Sequence, residues 1–358
     1  MALHLTGPVI VGDDDVRTEA WVVEGRITFE EPAHMGVKRR LDGVAIPGLV
    51  DVHCHVGLDS GGAVEPPLAL KQALVDRDAG TLLIRDAGSP SDTRFLDGVA
   101  TAPRLIRAGR FIARPMRYLR HYAREIEVED LPAVMADEAR KGDGWVKIIA
   151  DWIEREVGDL TPLWPADVLA EGVAAAHEAG ARVTAHAFAT ESMGPLLDAG
   201  IDCIEHGTGM NHEHMEECAR RGVPVVPTLL QVANFEGYAA QGGARFPAYA
   251  ARMRTMHERR FAHVRDLHDA GVPLLVGTDA GGTIGHGALP AEAALLVAAG
   301  IPAADVVASA SWRARAFLGA EALEEGASAD LVLYGADPRD DITELASPRH
   351  VVLRGDVV

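Results

Sequence analysis

From about residue 47 to about residue 318 the chain repeats one pattern: a brief apolar run, then a longer stretch rich in Ala, Leu and Glu. The runs are GLVDVHC, TLLIRD, PRLIRAG, WVKIIA, RVTAHA, CIEHG, VPVVPTL and PLLVGTD. Each reads as a strand, and each is followed by room for a helix. Eight such units over a span close to the ~250 residues of a (β/α)8 barrel predict an α/β fold of the TIM-barrel type. An open doubly wound sheet is the structural alternative, but no glycine-rich nucleotide fingerprint follows the first strand. Gly281-Gly282, after the eighth run, is too short a glycine signal for a phosphate loop.

Both ends of the chain have a different texture. EAWVVEGRITF near the start, and ADLVLYGADP and HVVLRGDVV at the finish, are short extended segments separated by turn residues. Val22 to Ile27 and Val352 to Val357 share a loose Val-x-x-Gly pattern that predicts hairpins. The expected organisation is a small composite β domain, of β-sandwich type, from residues 1–46 and 323–358, joined to a barrel at 47–322.

Composition narrows the function. With 34 Lys+Arg against 53 Asp+Glu in 358 residues, the net charge is −19, which argues against a nucleic-acid or anionic-membrane partner. The expected partner is a small-molecule substrate, with a homo-oligomer possible. Cys54, Cys203 and Cys218 form an odd, sparse set without CxxC spacing, so neither a disulfide framework nor a thiolate zinc site is expected. A reducing, cytoplasmic setting fits them. No basic, apolar leader opens the sequence, and the most apolar window is interrupted by Glu292, Pro302 and Asp305, so no membrane span is expected.

The chemistry-bearing residues sit at the ends of the apolar runs. His53 and His55 are two apart in a strand, so alternation points both imidazoles to one side, with Val50, Val52, Cys54 and Val56 facing the helices. Two inward histidines at one level are expensive to bury without partners, which favours metal ligation over hydrogen-bonded core histidines. Lys147 in WVKIIA is among the residue types least expected inside a strand. As an ammonium it cannot bind a cation; as a carbamate formed with carbon dioxide it offers two ligand oxygens. The competing account is a lysine snorkelling at the strand end or salt-bridged to Asp151. His186, His206 and Asp279 each finish an otherwise apolar run, the position that surrounds an active site in this architecture. His206 is expected on the face of Ile204. Other histidines carry less: His212 and His214 read as a solvated helix start, His257, His263 and His268 as surface or lid residues, and His177 has no assigned role.

The order HxH, Lys, His, His, Asp resembles the amidohydrolase superfamily, in its imidazolonepropionase and prolidase-like branch. The resemblance rests on IPGLVDVHCHVG at 46–57, GTLLIRDAGS at 80–89, GDGWVKIIA at 142–150, VTAHA at 183–187, IDCIEHGT at 201–208, VPTL at 226–229, GTDAGG at 277–282 and ASADLVLYGADP at 327–338. It implies two divalent ions, with zinc expected and manganese, iron or cobalt possible. His53, His55 and Asp279 would hold one and His186 and His206 the other, with carboxylated Lys147 bridging. A bridging hydroxide would attack a carbonyl, and Asp279 would serve as general acid and base. The implied activity is hydrolysis of a C–N (amide) bond in a small molecule such as an N-acyl amino acid or dipeptide. Cyclic amide, lactone or ester hydrolysis is the alternative, and a non-catalytic scaffold is disfavoured because none of the six positions is missing. The relatives' Gly-Gly-His segment after the third strand is replaced by Met116-Arg117-Tyr118. The expected substrate contacts are therefore Tyr118 for a carbonyl, Arg117 or Arg120 for a carboxylate, and His121 and His286 near the mouth. The stretch from Gln231 to Val272 is expected to hold a helix and a long loop, with the features of a lid.

Overall fold

The structure, a computed structural model, describes residues 2–33 and 36–358. It is a mixed α/β fold. The terminal segments share one eight-stranded sheet. In it Ala2–Ile10 pairs antiparallel with Val16–Val23 and parallel with Val37–Asp42, while Leu331–Tyr334 runs antiparallel to Val44–Pro47. Both predicted hairpins form, Val22 opposite Ile27 and Val352 opposite Val357. Leu5, Val9, Ala20, Ile27, Leu331 and Val352 bury the face that holds the two ends of the chain together.

Between the ends, strands pair in parallel. Leu49–Cys54, Thr81–Asp86 and Arg104–Arg107 form one sheet. Trp145–Ile149, Arg182–Ala187, Cys203–His206 and Val225–Val226 belong to a second, extended at its other edge by Ile112–Ala113 and Arg124–Glu125. The eighth predicted strand is an extended segment rather than a regular one. Residues 273–280 bond on one side to Val225, through Val225 N to Pro273 O at 2.9 Å, and on the other to the first sheet, through Val52 N to Val276 O at 3.1 Å and His55 N to Ala280 O at 2.8 Å. At the opposite edges Asp143 N donates to Arg107 O at 2.7 Å. The 273–280 segment thus bridges the two sheets on one flank, and on the other the bond joins Arg107 to the residues just before Trp145–Ile149.

Helices fill the connections. Pro66–Asp78, Leu131–Lys141, Pro247–Asp269 and Leu289–Ala298 each carry proline in the first turn, where its missing N–H costs nothing. His212–Arg221 is closed by a capping box in which His214 and Asn211 satisfy each other's backbone, and by left-handed Gly222. His212 is exposed beside Glu216, and His177 pairs with Asp202. His263 departs from the expectation of a surface or lid residue: it is buried, with Nε2 2.9 Å from Gly207 O. The expected helix and long loop after Gln231 are instead mostly helical, with Leu229–Val232, Phe235–Gly242 and Pro247–Asp269. No helix among the described residues is long and apolar enough to cross a membrane.

One buried acid secures this arrangement. Glu292 accepts from Leu229 N at 2.6 Å and Leu230 N at 2.8 Å, capping the short helix after PTL. Burial pushes its carboxyl up to about 8, against the pull of those two N–H groups. A pKa raised above the unfolded value of 4.5 means that the neutral form's contribution is complete below that pH and is lost as pH rises through about 8. Glu292→Gln keeps one acceptor but sets an NH2 against the second backbone N–H, so it should be less stable than the parent in mild acid. Its stability should no longer fall between about pH 5 and pH 8 as the parent's does, so that the gap narrows with rising pH. Urea denaturation at both pH values checks this; a difference independent of pH would refute it.

Candidate metal centre

The strand ends gather His53, His55, Lys147, His186, His206 and Asp279 into one buried cluster. Simple alternation does not produce it. Pairing between Leu49–Cys54 and Thr81–Asp86 matches Asp51 with Ile84 and Cys54 with Asp86, so one strand carries an extra residue. This is a β-bulge, which re-aims side chains. Val50 and Val52 consequently pack with Leu83, Trp145, Val226 and Leu275, while Cys54 packs on Ala69 and Ala73 of the first long helix. The expectation that Val50, Val52 and Cys54 share a face fails for that reason.

The expectation for His206 fails similarly. Ile204 packs among the helices with Leu196 and Val183, whereas Glu205 reaches Arg85, Thr184 and His53. His206 joins the same cluster as Glu205 because its backbone turns into the left-handed region, at φ 66°. Asp279 (φ 59°) and Thr228 (φ 48°) do the same. Each such non-glycine residue costs on the order of 1–3 kcal/mol and persists only where surrounding contacts impose it. One imposing contact is Asp51, whose carboxylate accepts from Thr278 Oγ1 at 2.6 Å and from the Thr278 and His53 N–H groups, each at 3.1 Å. Another is Gly277: a Cβ there would lie 2.6 Å from His53 Cβ, so only glycine lets the Asp279 segment pass so close.

The outer nitrogens of three imidazoles face oxygen atoms, in hydrogen bonds for His55 and His206 and in an ion-pair contact for His53. His55 Nδ1 lies 2.6 Å from Gly88 O, and His53 Nδ1 lies 2.9 Å from Glu205 Oε2. His206 Nδ1 lies 2.7 Å from Thr228 Oγ1, whose own hydrogen goes to Pro227 O. With their N–H groups turned outward, the Nε2 lone pairs of His55 and His206 face inward, and the Glu205 carboxylate beside Nδ1 favours the same tautomer in His53. His53 Nε2 and His55 Nε2 each lie 3.1 Å from Asp279 Oδ1, and His206 Nε2 lies 3.0 Å from His186 Nδ1. Lys147 Nζ is 3.4 Å from His53 Nε2. It is not paired with Asp151, which instead accepts from Phe188 N and Ala189 N. His53, His206 and Asp279 each place a ligand atom within 4.8 Å of the others. Lone pairs converging in a buried pocket fit divalent cations.

The surroundings tune these groups. Burial, helped by neighbouring cationic groups, pushes His186 and His206 well below the usual imidazole range and holds them neutral, as ligands must be. Burial likewise lowers the Lys147 ammonium against the Glu205 and Asp279 carboxylates. Beneath the cluster, Arg85 donates to Glu205 and, through Nε, to Val52 O at 2.6 Å, and its guanidinium lies 4.7 Å from the Trp145 ring centroid. Glu205 and Arg85 were not singled out in the sequence. A charge of each sign inside strand runs, IEH and IRD, was the available signal.

The expected substrate contacts divide. Tyr118 lines a cavity of about 480 Å³ that opens over His55, His186 and Asp279. Arg117 does not: its Nη2 donates to Thr161 Oγ1 at 2.6 Å and to the Trp152 and Thr161 carbonyls, and Nη1 is 3.3 Å from Glu154. Arg120 and His121 are exposed and line an adjoining depression instead. His286 turns behind the His53 strand, with Nδ1 2.7 Å from Asp76 Oδ2 and 3.7 Å from Cys54 Sγ. These four expectations are corrected because loop residues have no periodicity to fix their direction.

Parallel strands with ligand-type groups at their ends and a buried donor cluster make a candidate metal centre, and comparison with known proteins gives the family. The Amidohydrolase family model matches residues 44–358, and the chain belongs to that family. Uncharacterised proteins of Mycobacterium tuberculosis and Mycobacterium bovis are 48% identical over 355 residues, 99% of this chain and 95% of theirs. Among solved structures, a Xaa-Pro dipeptidase with bound methionine aligns with a TM-score of 0.85 at 23% identity, covering 100% of both chains. A prolidase complexed with N-methylphosphonate-L-proline aligns at 0.80 and 21%, covering 100% of this chain and 99% of its own. A. niger ochratoxinase aligns at 0.79 and 18%, covering 99% and 95%. The chain shares the fold of these prolidase-like structures.

The buried Arg85–Glu205 pair generates a prediction. Glu205→Gln leaves Arg85 uncompensated in the interior and should destabilise the metal-free protein by roughly 3–5 kcal/mol. Chemical denaturation measures this, and a loss below about 1 kcal/mol, the size expected of an exposed pair, would show that Arg85 finds another partner.

Proposed function

We propose that this chain is a binuclear metal-dependent hydrolase that cleaves the C–N bond of a small amide such as an N-acyl amino acid or dipeptide. The single observation that carries the reading is the convergence of four imidazoles, the Asp279 carboxylate and the Lys147 amine at the base of one cavity, where His55, His186 and Asp279 reach its surface. Family membership supports it, since a metal centre is general among these hydrolases. His53, His55 and Asp279 would hold one ion and His186 and His206 the other, with Lys147 as a carbon-dioxide-derived carbamate between them. The flanking hydrogen bonds support, as part of the same proposal, a (β/α)8 barrel at residues 47–322 carrying a small terminal domain. Three buried, unpaired cysteines fit a reducing, cytoplasmic setting.

When bound, the cations would acidify a water molecule and polarise the amide carbonyl. The rest falls to the chain. Asp279 takes the proton from water as its oxygen bonds to the carbonyl carbon. It returns that proton to the amide nitrogen as the C–N bond breaks, so one water is consumed and a carboxylic acid and an amine leave. His55 and His53, placed by Gly88 O and Glu205, aim their Nε2 lone pairs at the same region as the Asp279 carboxylate, so these three side chains would share one cation. Phe188, 4.2 Å from the His186 ring centroid, keeps bulk water off that side.

Elemental analysis of purified protein should find two divalent ions per chain, zinc first among the candidates. Chelation should abolish hydrolysis of an N-acyl amino acid and dipeptide library, and the ions should restore it. Lys147→Ala should weaken metal binding by more than the roughly 10–100-fold that loss of an outer partner costs. Full metal content in Lys147→Ala, or turnover unaffected by chelation, would end the proposal.

A further inference from the structure

We infer that the cavity above the centre selects substrates with one bulky aromatic group and one carboxylate, and that Arg155 receives the carboxylate. This deepens the hydrolase reading and rests on it. The aromatic half of the inference comes from an uneven distribution. The chain contains only 5 Trp, 5 Tyr and 8 Phe, yet eight of those eighteen line this one cavity, including every tyrosine except Tyr334. Phe111, Tyr118, Trp152, Phe188, Phe246 and Tyr249 carry most of the argument. The wall begins at the ligand-type imidazoles themselves. Phe188 lies 4.2 Å from His186 and 4.8 Å from His206 between ring centroids, Trp152 lies 5.5 Å from His186, and Tyr118 lies 4.7 Å from Trp152. A scissile amide at Asp279 thus has flat apolar faces beside it, and a cavity of about 480 Å³ lies within the roughly 300–1,000 Å³ usual for small-molecule sites. Ring-against-ring contact in such a space adds to area burial.

The carboxylate half comes from charge. Two side chains lining the cavity carry charge outright: Asp279 at the floor and Arg155 at the rim. Arg155 lies between the paired strands Asp151–Glu154 and Asp159–Pro162, on the hairpin that also sends Trp152 and Ile153 into the cavity. It is exposed, and among the described residues no carboxylate lies within 4.0 Å of it, although neighbouring Arg117 is paired with Glu154. Arg155 is the one arginine among the residues lining this cavity, and its planar fork suits bidentate binding of a carboxylate. Arg155 also borders a depression lined by Arg110, Arg120, Arg124 and Glu125; Arg124 is paired with Asp137 and Glu138, and Arg110 and Arg120 leave the entrance on this side with an excess of positive charge. Such an entrance draws anionic substrates inward, and Asp279 repels the anion from the floor. A substrate oriented this way presents its amide to Asp279, its ring to the aromatic wall and its carboxylate to Arg155. An N-acyl aromatic amino acid, whose ring and carboxylate both branch from the carbon next to the scissile nitrogen, has that layout when the long Arg155 side chain reaches inward from the rim.

The test uses metal-loaded full-length protein with N-acetyl-phenylalanine, N-acetyl-tryptophan, N-acetyl-alanine and N-acetyl-phenylalanine amide. The aromatic acids should exceed N-acetyl-alanine in kcat/KM by roughly tenfold or more. Arg155→Ala should raise KM for N-acetyl-phenylalanine by roughly ten- to a hundredfold, and that for the amide by several-fold less, and Arg155→Lys should recover part of the loss. Equal kcat/KM for the alanine and phenylalanine compounds, or an unaltered KM in Arg155→Ala, overturns the inference while leaving the hydrolase reading standing. If no compound is turned over, that reading fails instead, and calorimetric binding decides the inference separately. N-acetyl-phenylalanine binding more tightly than N-acetyl-alanine, with the binding weakened in Arg155→Ala, supports it; equal or absent binding overturns it.

Discussion

Buried lone pairs that face one another are the constraint on which this molecule is organised. His53, His55 and His206 turn their outer N–H groups to Glu205, Gly88 O and Thr228, and their inner nitrogens therefore confront Asp279, Lys147 and His186 at hydrogen-bonding distance. Removed from water, such an arrangement costs several kcal/mol unless positive charge relieves it. Part of that relief is built in from below. Arg85 against Glu205 supplies one internal cation for one internal anion, and the Trp145 ring covers the guanidinium.

Holding the lone pairs together requires backbone that regular strands do not supply. A bulge between Asp51 and Cys54, left-handed residues at His206, Thr228 and Asp279, and the bare Cα of Gly277 all occur where strands finish. Each departure aims one side chain and each is unfavourable alone. Asp51 compensates by bonding to both the His53 and the Thr278 backbone, adding a side-chain tie to segments already joined through Val52 N, Asp279 N and His55 N. Burial raises the Asp51 carboxyl to about 7, a measure of how completely this tie is enclosed.

This also explains what the sequence could reveal. His53, His55, Lys147, His186, His206 and Asp279 were legible because a polar residue ending an apolar run breaks a strong pattern. Both terminal hairpins were legible from Val-x-x-Gly spacing. Glu205 was hidden by the alternation rule itself, since a residue beside an inward His206 is assigned to the opposite face, and a positive φ has no signature in a histidine. Val50 and Val52 were misassigned by one bulged residue for the same reason. The directions of Arg117, Arg120, His121 and His286 depend on loop and hairpin geometry. The hairpin at residues 151–162, which claims Arg117 and presents Arg155, follows the fourth strand of the pattern without an apolar period of its own.

On the proposed reading, the state of Lys147 and the loading of cations are one event. As an ammonium, Lys147 is a positive charge among the Glu205 and Asp279 carboxylates, and it opposes cations by repulsion. Conversion to a carbamate removes that charge and adds a negative one, a change of two units within a buried cluster already rich in acceptors. Without cations the carbamate would face Asp279 across a few ångströms of low-dielectric space, where like charges repel strongly. With them, every inward lone pair acquires a partner. Carbon dioxide and metal must therefore strengthen each other's binding by the same factor. The aromatic wall of Phe188 and Trp152 reinforces that coupling by keeping out the water that would otherwise screen it.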